Sequence, residues 1–91
     1  MDSNLNEFQQ LMVISAEECG ELTQACMKII RRSSSVEELT LSQRAKLIEE
    51  AGDVLCMIEL MVEHDLVTNE ELGRRVNEKR VKLKKWSNLI K

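Results

Sequence analysis

Apolar residues recur at three- and four-residue intervals along most of this 91-residue chain. Leu11, Ile14, Leu22, Ala25 and Ile29 form one such series, and Leu47, Val54, Met57, Ile58 and Met61 form another. That period matches one face of an α-helix and not the strict alternation of a half-buried strand. The pattern predicts three helices. The first runs from Asn4 or Asn6 to Arg32, the second from about Ser42 to His64, and the third from about Asn69 to Trp86. Between the first two, "RRSSSVEELTLS" (31–42) breaks the periodicity and offers two capping boxes, Ser35–Glu38 and Thr40–Gln43. In the short connection "HDLVTNEEL" (64–72), Thr68 and Glu71 form another, ahead of the third helix.

Composition narrows the fold to all-α. There is no proline, only three glycines, and two aromatic residues, Phe8 and Trp86, whereas a sheet protein would be rich in β-branched and aromatic residues. At this length the chain reads as a single domain spanning residues 1–91. Three helices this long cannot shield one another alone, so a four-helix-bundle core completed by a second chain is expected, as a homodimer or homotetramer. Cys19, Cys26 and Cys56 are odd in number and form no C-x-x-C pair, which predicts buried free thiols and a reducing, cytoplasmic setting. No signal peptide is evident before the first helix, and no apolar run approaches the ~20 residues that span a bilayer.

Two stretches, "EECGE" (17–21) and "EEAGD" (49–53), put carboxylates where the helical pattern is apolar. With about 100° per residue and Glu18 as zero, Leu11, Ile14, Leu22, Ala25 and Ile29 fall within roughly 40° of it. Glu21 lies about 60° to one side, and Glu17 about 40° beyond that. The second helix repeats the arrangement around Glu50, with Val54, Met57 and Met61 within about 40° and Asp53 about 60° off on the same side. Leu47, Ala51, Ile58 and Val62 widen that stripe on the other flank. The bland account is that buried Glu is neutralised by Lys or Arg, but only Lys28 and Lys46 lie near these stripes. Converging carboxylates without matching cations repel one another and hold protons. A bound divalent ion removes the conflict, and oxygen-only donors suit Mg²⁺ or Mn²⁺ better than Zn²⁺. A di-iron bundle would need Glu-x-x-His pairs, yet the one histidine, His64, lies well beyond Glu50 and suits a helix C-terminus instead. No EF-hand loop is present.

The net charge of −3 conceals a split: residues 1–73 carry 15 acidic and 5 basic side chains, whereas 74–91 carry 8 basic side chains and one acid, Glu78. An acidic body would repel a nucleic acid polymer. A basic strip beside an acidic pocket suits a small phosphorylated ligand, or else simple i,i+4 pairing on a solvated helix face.

The order E17-E18-x-x-E21, then residues 22–49, then E50-x-x-D53, resembles the EExxE…ExxD signature of the MazG-like, all-α nucleoside triphosphate pyrophosphohydrolases. "EECGELTQACMKIIRR" and "LIEEAGDVLCMIELM" look like the compact single-domain members, and the resemblance covers roughly residues 5–86. It implies a bundle of at least two chains that hydrolyses a nucleoside or deoxynucleoside triphosphate, with Mg²⁺, to the monophosphate and pyrophosphate. It further implies Glu18, Glu21, Glu50 and Asp53 as metal ligands, and Glu17 or Glu49 as the group that orients water. Asn77 and Lys79 match an N-x-K element implied to hold phosphates, and Arg80 and Lys82 extend it. A relative acting on dUTP or on a phosphoribosyl-nucleotide would use the same residues. Tyrosine is absent, so base stacking would fall to Phe8 or to Trp86, which otherwise reads as a packing residue. The competing class is a non-catalytic helical module that serves oligomerisation or regulation.

Overall fold

The computed structural model describes residues 4–91, and among them it is all-α, with three helices and no strand. Helix α1 spans Glu7–Arg32, α2 spans Leu41–Glu63 and α3 spans Asn69–Trp86, with a single 3-10 turn at Val36–Glu38. Each boundary has a local cause. At the start of α1, the Asn6 side chain accepts from the Gln9 N–H at 2.8 Å, and the Asn6 N–H donates to Gln9 Oε1 at 3.0 Å. That reciprocal pair selects Asn6 over Asn4 as the cap. Arg31 and Arg32 occupy the last turn, where cations complement the negative end of the helix dipole, and Ser33 ends the helix in an extended conformation.

Of the two boxes foreseen in the connection, Thr40–Gln43 forms and Ser35–Glu38 does not. The Gln43 N–H donates to Thr40 Oγ1 at 3.1 Å, and the Thr40 N–H to Gln43 Oε1 at 2.9 Å. Ser35 makes no side-chain cap, because the Glu38 carboxylate turns back to accept from the Ser34 N–H at 2.9 Å and from its hydroxyl. Ser33 Oγ donates to Gln43 Oε1 at 3.1 Å and so ties the end of α1 to the start of α2.

Two compact units divide the chain, one ending at Leu60 and the other running Met61–Lys91, so their boundary falls within α2. In the first unit α1 and α2 form an antiparallel pair. Ala25 and Ile29 share a cavity with Lys46, Ser42 and Gln43, while Glu18 meets Glu50 and Asp53, so position rises along one helix as it falls along the other. The buried apolar residues are Leu11 and Ala25 of α1 and Met57 of α2, with Ile14, Leu22, Ile29, Leu47, Val54 and Ile58 half-buried beside them. Leu11 and Met57 each contribute about 1.5–3 kcal/mol by leaving water. The stripe is narrower than foreseen on one flank, since Ala51 is exposed.

The second unit begins with the end of α2. There the Leu66 N–H donates to the Met61 carbonyl at 2.9 Å and the Asp65 N–H to the Val62 carbonyl at 3.0 Å, with Asp65 at φ 61°. These two bonds make a Schellman ending with an aspartate in the left-handed position usually taken by glycine. His64 is the C-cap, as its place at the helix end suggested. Helix α3 then starts on the foreseen Thr68–Glu71 box, with bonds of 3.1 and 2.9 Å.

The cysteines require a correction. All three are free thiols, but all are exposed. Their helical phase explains it: Cys19 and Cys26 lie about 80–100° from Glu18, and Cys56 about 120° from Glu50, outside the stripes that meet. Trp86 is likewise no packing residue in this chain, being 86% exposed. No helix is long and apolar enough to cross a membrane among the described residues.

Candidate metal centre

The phase of the two stripes turns Glu18 and Glu50 toward one another when α1 and α2 pair. Glu50 is 3% exposed, and Glu18 is half-buried. Asp53 follows one turn after Glu50, at the more exposed edge. One carboxylate oxygen from each of Glu18, Glu50 and Asp53 lies within 4.8 Å of the others. The Glu18 pKa is raised above its ordinary value of 4.5, first by loss of hydration and then by the charges of Asp53 and Glu50, with a hydrogen bond that its protonated form donates to Asp53 and the charge of Glu21 adding to it. Glu18 therefore holds a proton more readily than a solvated carboxylate would.

Lys46 partly satisfies the cluster. Its Nζ lies 3.0 Å from Glu50 Oε1 and 3.0 Å from Glu49 Oε2. The amine is held above the usual lysine range by hydrogen bonds to Glu49 and Glu50, and Glu49 is lowered, chiefly by its bond to Lys46. Sequence phase had placed Lys46 only near the flank, yet a lysine one turn before a buried glutamate reaches it along the helix surface with its amine still in water. One lysine, shared with Glu49, still leaves Glu18, Glu50 and Asp53 with an excess of negative charge. Moreover, Glu50 Oε2 is buried and has no hydrogen-bond partner. A buried carboxylate oxygen left unpaired is costly.

The donor set fits a hard divalent cation. All three donors are oxygens, and an octahedral Mg²⁺ shell with bonds of about 2.0–2.1 Å spans roughly 4.2 Å between opposite ligands. Neighbouring ligands in that shell stand about 2.9 Å apart, so oxygens within 4.8 Å of one another are near enough to close on a single ion by side-chain rotation.

The other candidate residues are placed as follows. Glu21 is exposed, one turn past Glu18, and acts on it through charge without joining the three-oxygen cluster. Glu17 is exposed, and Glu49 is exposed and paired with Lys46. Asn77, Lys79, Arg80 and Lys82 all lie on exposed positions of α3. Lys79 and Lys82 line a shallow recess of about 290 Å³ with Arg75, Leu83 and Trp86, whereas Asn77 and Arg80 do not. Arg75 is bound to Glu78 at 3.2 Å, an i,i+3 pair on a solvated face for which i,i+4 pairing was foreseen. Sequence reasoning overlooked Ser15, which is 8% exposed with an unpartnered Oγ on the buried face one turn before Glu18. Its phase, about 60° from Glu18 on the side opposite Glu21, was the available signal.

No family model matches this chain, and no curated protein or solved structure matches it significantly.

Proposed function

We propose that this protein is a Mg²⁺-dependent nucleoside triphosphate pyrophosphohydrolase, converting a nucleoside or deoxynucleoside triphosphate and water to the monophosphate and pyrophosphate. The observation that carries this reading is Glu50, a buried carboxylate with one oxygen unpaired, converging with Glu18 and Asp53 in the order of the MazG-like signature. These three residues would hold Mg²⁺, or Mn²⁺ in its place, with Glu21 one turn away as the fourth ligand. When bound, the ion neutralises polyphosphate charge and favours attack of water on a phosphoanhydride. Glu49, kept ionised by Lys46, is a hydrogen-bond acceptor suited to orienting that water, and Glu17 is the alternative for the same task. Asn77, Lys79, Arg80 and Lys82 would bind phosphate oxygens through charge-assisted hydrogen bonds. A second copy of the chain, in a homodimer or homotetramer, would cover apolar side chains that remain exposed on α1 and α2, among them Ile30, Leu41 and Leu55.

The test is pyrophosphate release from a panel of ribonucleoside and deoxyribonucleoside triphosphates, dUTP included, with Mg²⁺, with Mn²⁺ and with a chelator. Metal-dependent release from at least one of them is expected. Metal binding without turnover on any substrate would assign the helices to the non-catalytic class instead.

A further inference from the structure

Residues 1–73 contain five basic side chains, Lys28, Arg31, Arg32, Arg44 and Lys46, among fifteen acidic ones. Four of the five line a single cavity of about 450 Å³ between the end of α1 and the start of α2, in which Arg44 takes no part. Lys28, Arg31 and Arg32 come from α1, and Lys46 faces them from α2, with Ser42 and Gln43 of the first turn of α2 completing the polar lining. No carboxylate lines it. Lys46 binds Glu49 and Glu50, but Lys28, Arg31 and Arg32 have no ion-pair partner among the described residues.

Helix dipoles explain part of this. Arg31 and Arg32 complement the C-terminal end of α1. That account leaves out Lys28, one turn earlier, and Lys46 on the opposite wall. Lys28, Arg31 and Arg32 repel one another along one wall and stand unpaired in a body with three acids for every base, while Lys46 opposite them binds Glu49 and Glu50. An anion between the walls removes the repulsion, and the partial positive charge at the start of α2 adds to its attraction. At about 450 Å³ the space is more than one tetrahedral oxyanion fills. Paired guanidinium forks suit phosphoryl oxygens.

We infer that this cavity is a binding site for a linear oligophosphate, either inorganic pyrophosphate or the polyphosphate end of a nucleotide. The inference rests on the cavity and its charges and not on the hydrolase reading. It holds without metal, and it survives if no substrate is turned over.

The experiment is an NMR titration of the whole protein in chelator, at constant ionic strength, with sulfate, orthophosphate, pyrophosphate, inorganic triphosphate and a nucleoside triphosphate. Pyrophosphate and triphosphate should shift the Ser42 and Gln43 amides and the Arg31 and Arg32 side-chain signals, and bind at least about tenfold more tightly than sulfate. Arg32→Ala and Lys28→Ala should each weaken binding about five- to tenfold, whereas Arg44→Ala should not. Should Arg32→Ala fail to fold, Arg32→Lys and Lys28→Ala, both at exposed positions, carry the same comparison. Equal affinity for nucleoside and inorganic triphosphate identifies the phosphate chain as the whole ligand, and tighter nucleotide binding identifies the nucleotide as its source. Either result supports the site. Equal affinity for sulfate and pyrophosphate, absence of shifts at Ser42 and Gln43, or an equal effect of Arg44→Ala would overturn it.

Discussion

Glu50 sets residue type against surroundings more sharply than any other position in the cluster. It is 3% exposed, with one oxygen on Lys46 and the other unpaired. Glu50→Gln keeps the shape and removes the charge. In chelator at neutral pH its unfolding midpoint should be no lower than that of the wild type, because repulsion from Glu18 and Asp53 is relieved. Addition of Mg²⁺ should stabilise the wild type, by about 2.7 kcal/mol at a hundredfold excess over Kd, and leave the variant unchanged. An unfolded variant would instead make Glu50 a structural partner of Lys46. Glu18 adds a pH signature. Its native pKa is raised above 4.5, so its contribution to stability is fully present below that pH and is lost as pH rises through the native value. Glu49 is lowered and behaves oppositely, its contribution being lost as pH falls through its native value. Thermal melts in chelator between pH 4 and 8 should show the alkaline loss in the wild type and not in Glu18→Gln. Stabilisation by Mg²⁺ should grow with pH over the same range, since the ion competes with protons for the carboxylates.

At the level of elements, caps decide where the helices begin and end. Asp65 holds φ 61° at the end of α2, a conformation that costs a non-glycine residue about 1–2 kcal/mol. Asp65→Gly should therefore raise stability by about 1 kcal/mol in urea unfolding. Thr68→Ala removes the acceptor for the Glu71 N–H and should lower it by about 1 kcal/mol. These two connections were unequally legible. The Thr68–Glu71 box stands directly before a periodic run and has no competitor. Ser35–Glu38 and Thr40–Gln43 both satisfied the same pattern, and the choice followed from Glu38 bonding to Ser34 and Gln43 receiving Ser33, contacts that depend on the path of the chain. Cysteine burial was misjudged for a related reason: Cys is usually buried, but helical phase outweighs residue type.

At the scale of the whole molecule, the buried apolar set among the described residues is only Leu11, Ala25 and Met57, and no large side chain is fully buried. Leu41, Ile48 and Leu55 recur every seven residues along α2, about 140–180° from Glu50, and each is more than half exposed. Such a stripe is the seam along which another helix packs. The protein should therefore sediment as a dimer or tetramer, and Ile48→Lys with Leu55→Lys should reduce the mass to that of one chain while leaving the helix content of α1 and α2 largely intact. A wild-type protein that sediments as a single chain at micromolar concentration would refute the oligomer.

By itself the sequence determined three helices, the Thr68–Glu71 cap and the faces that meet, because each depends on periodicity and on contacts within a few residues. It also placed Glu18 and Glu50 on apolar stripes, since phase is a property of one helix alone. Tertiary structure decided what those stripes do to each other. Which oxygens converge, that Lys46 satisfies one side of Glu50 and leaves the other unpaired, and that four of the five cations before residue 74 share one cavity all follow from the register between α1 and α2. Register is set by side chains packing across two helices, and no periodicity within one helix encodes it.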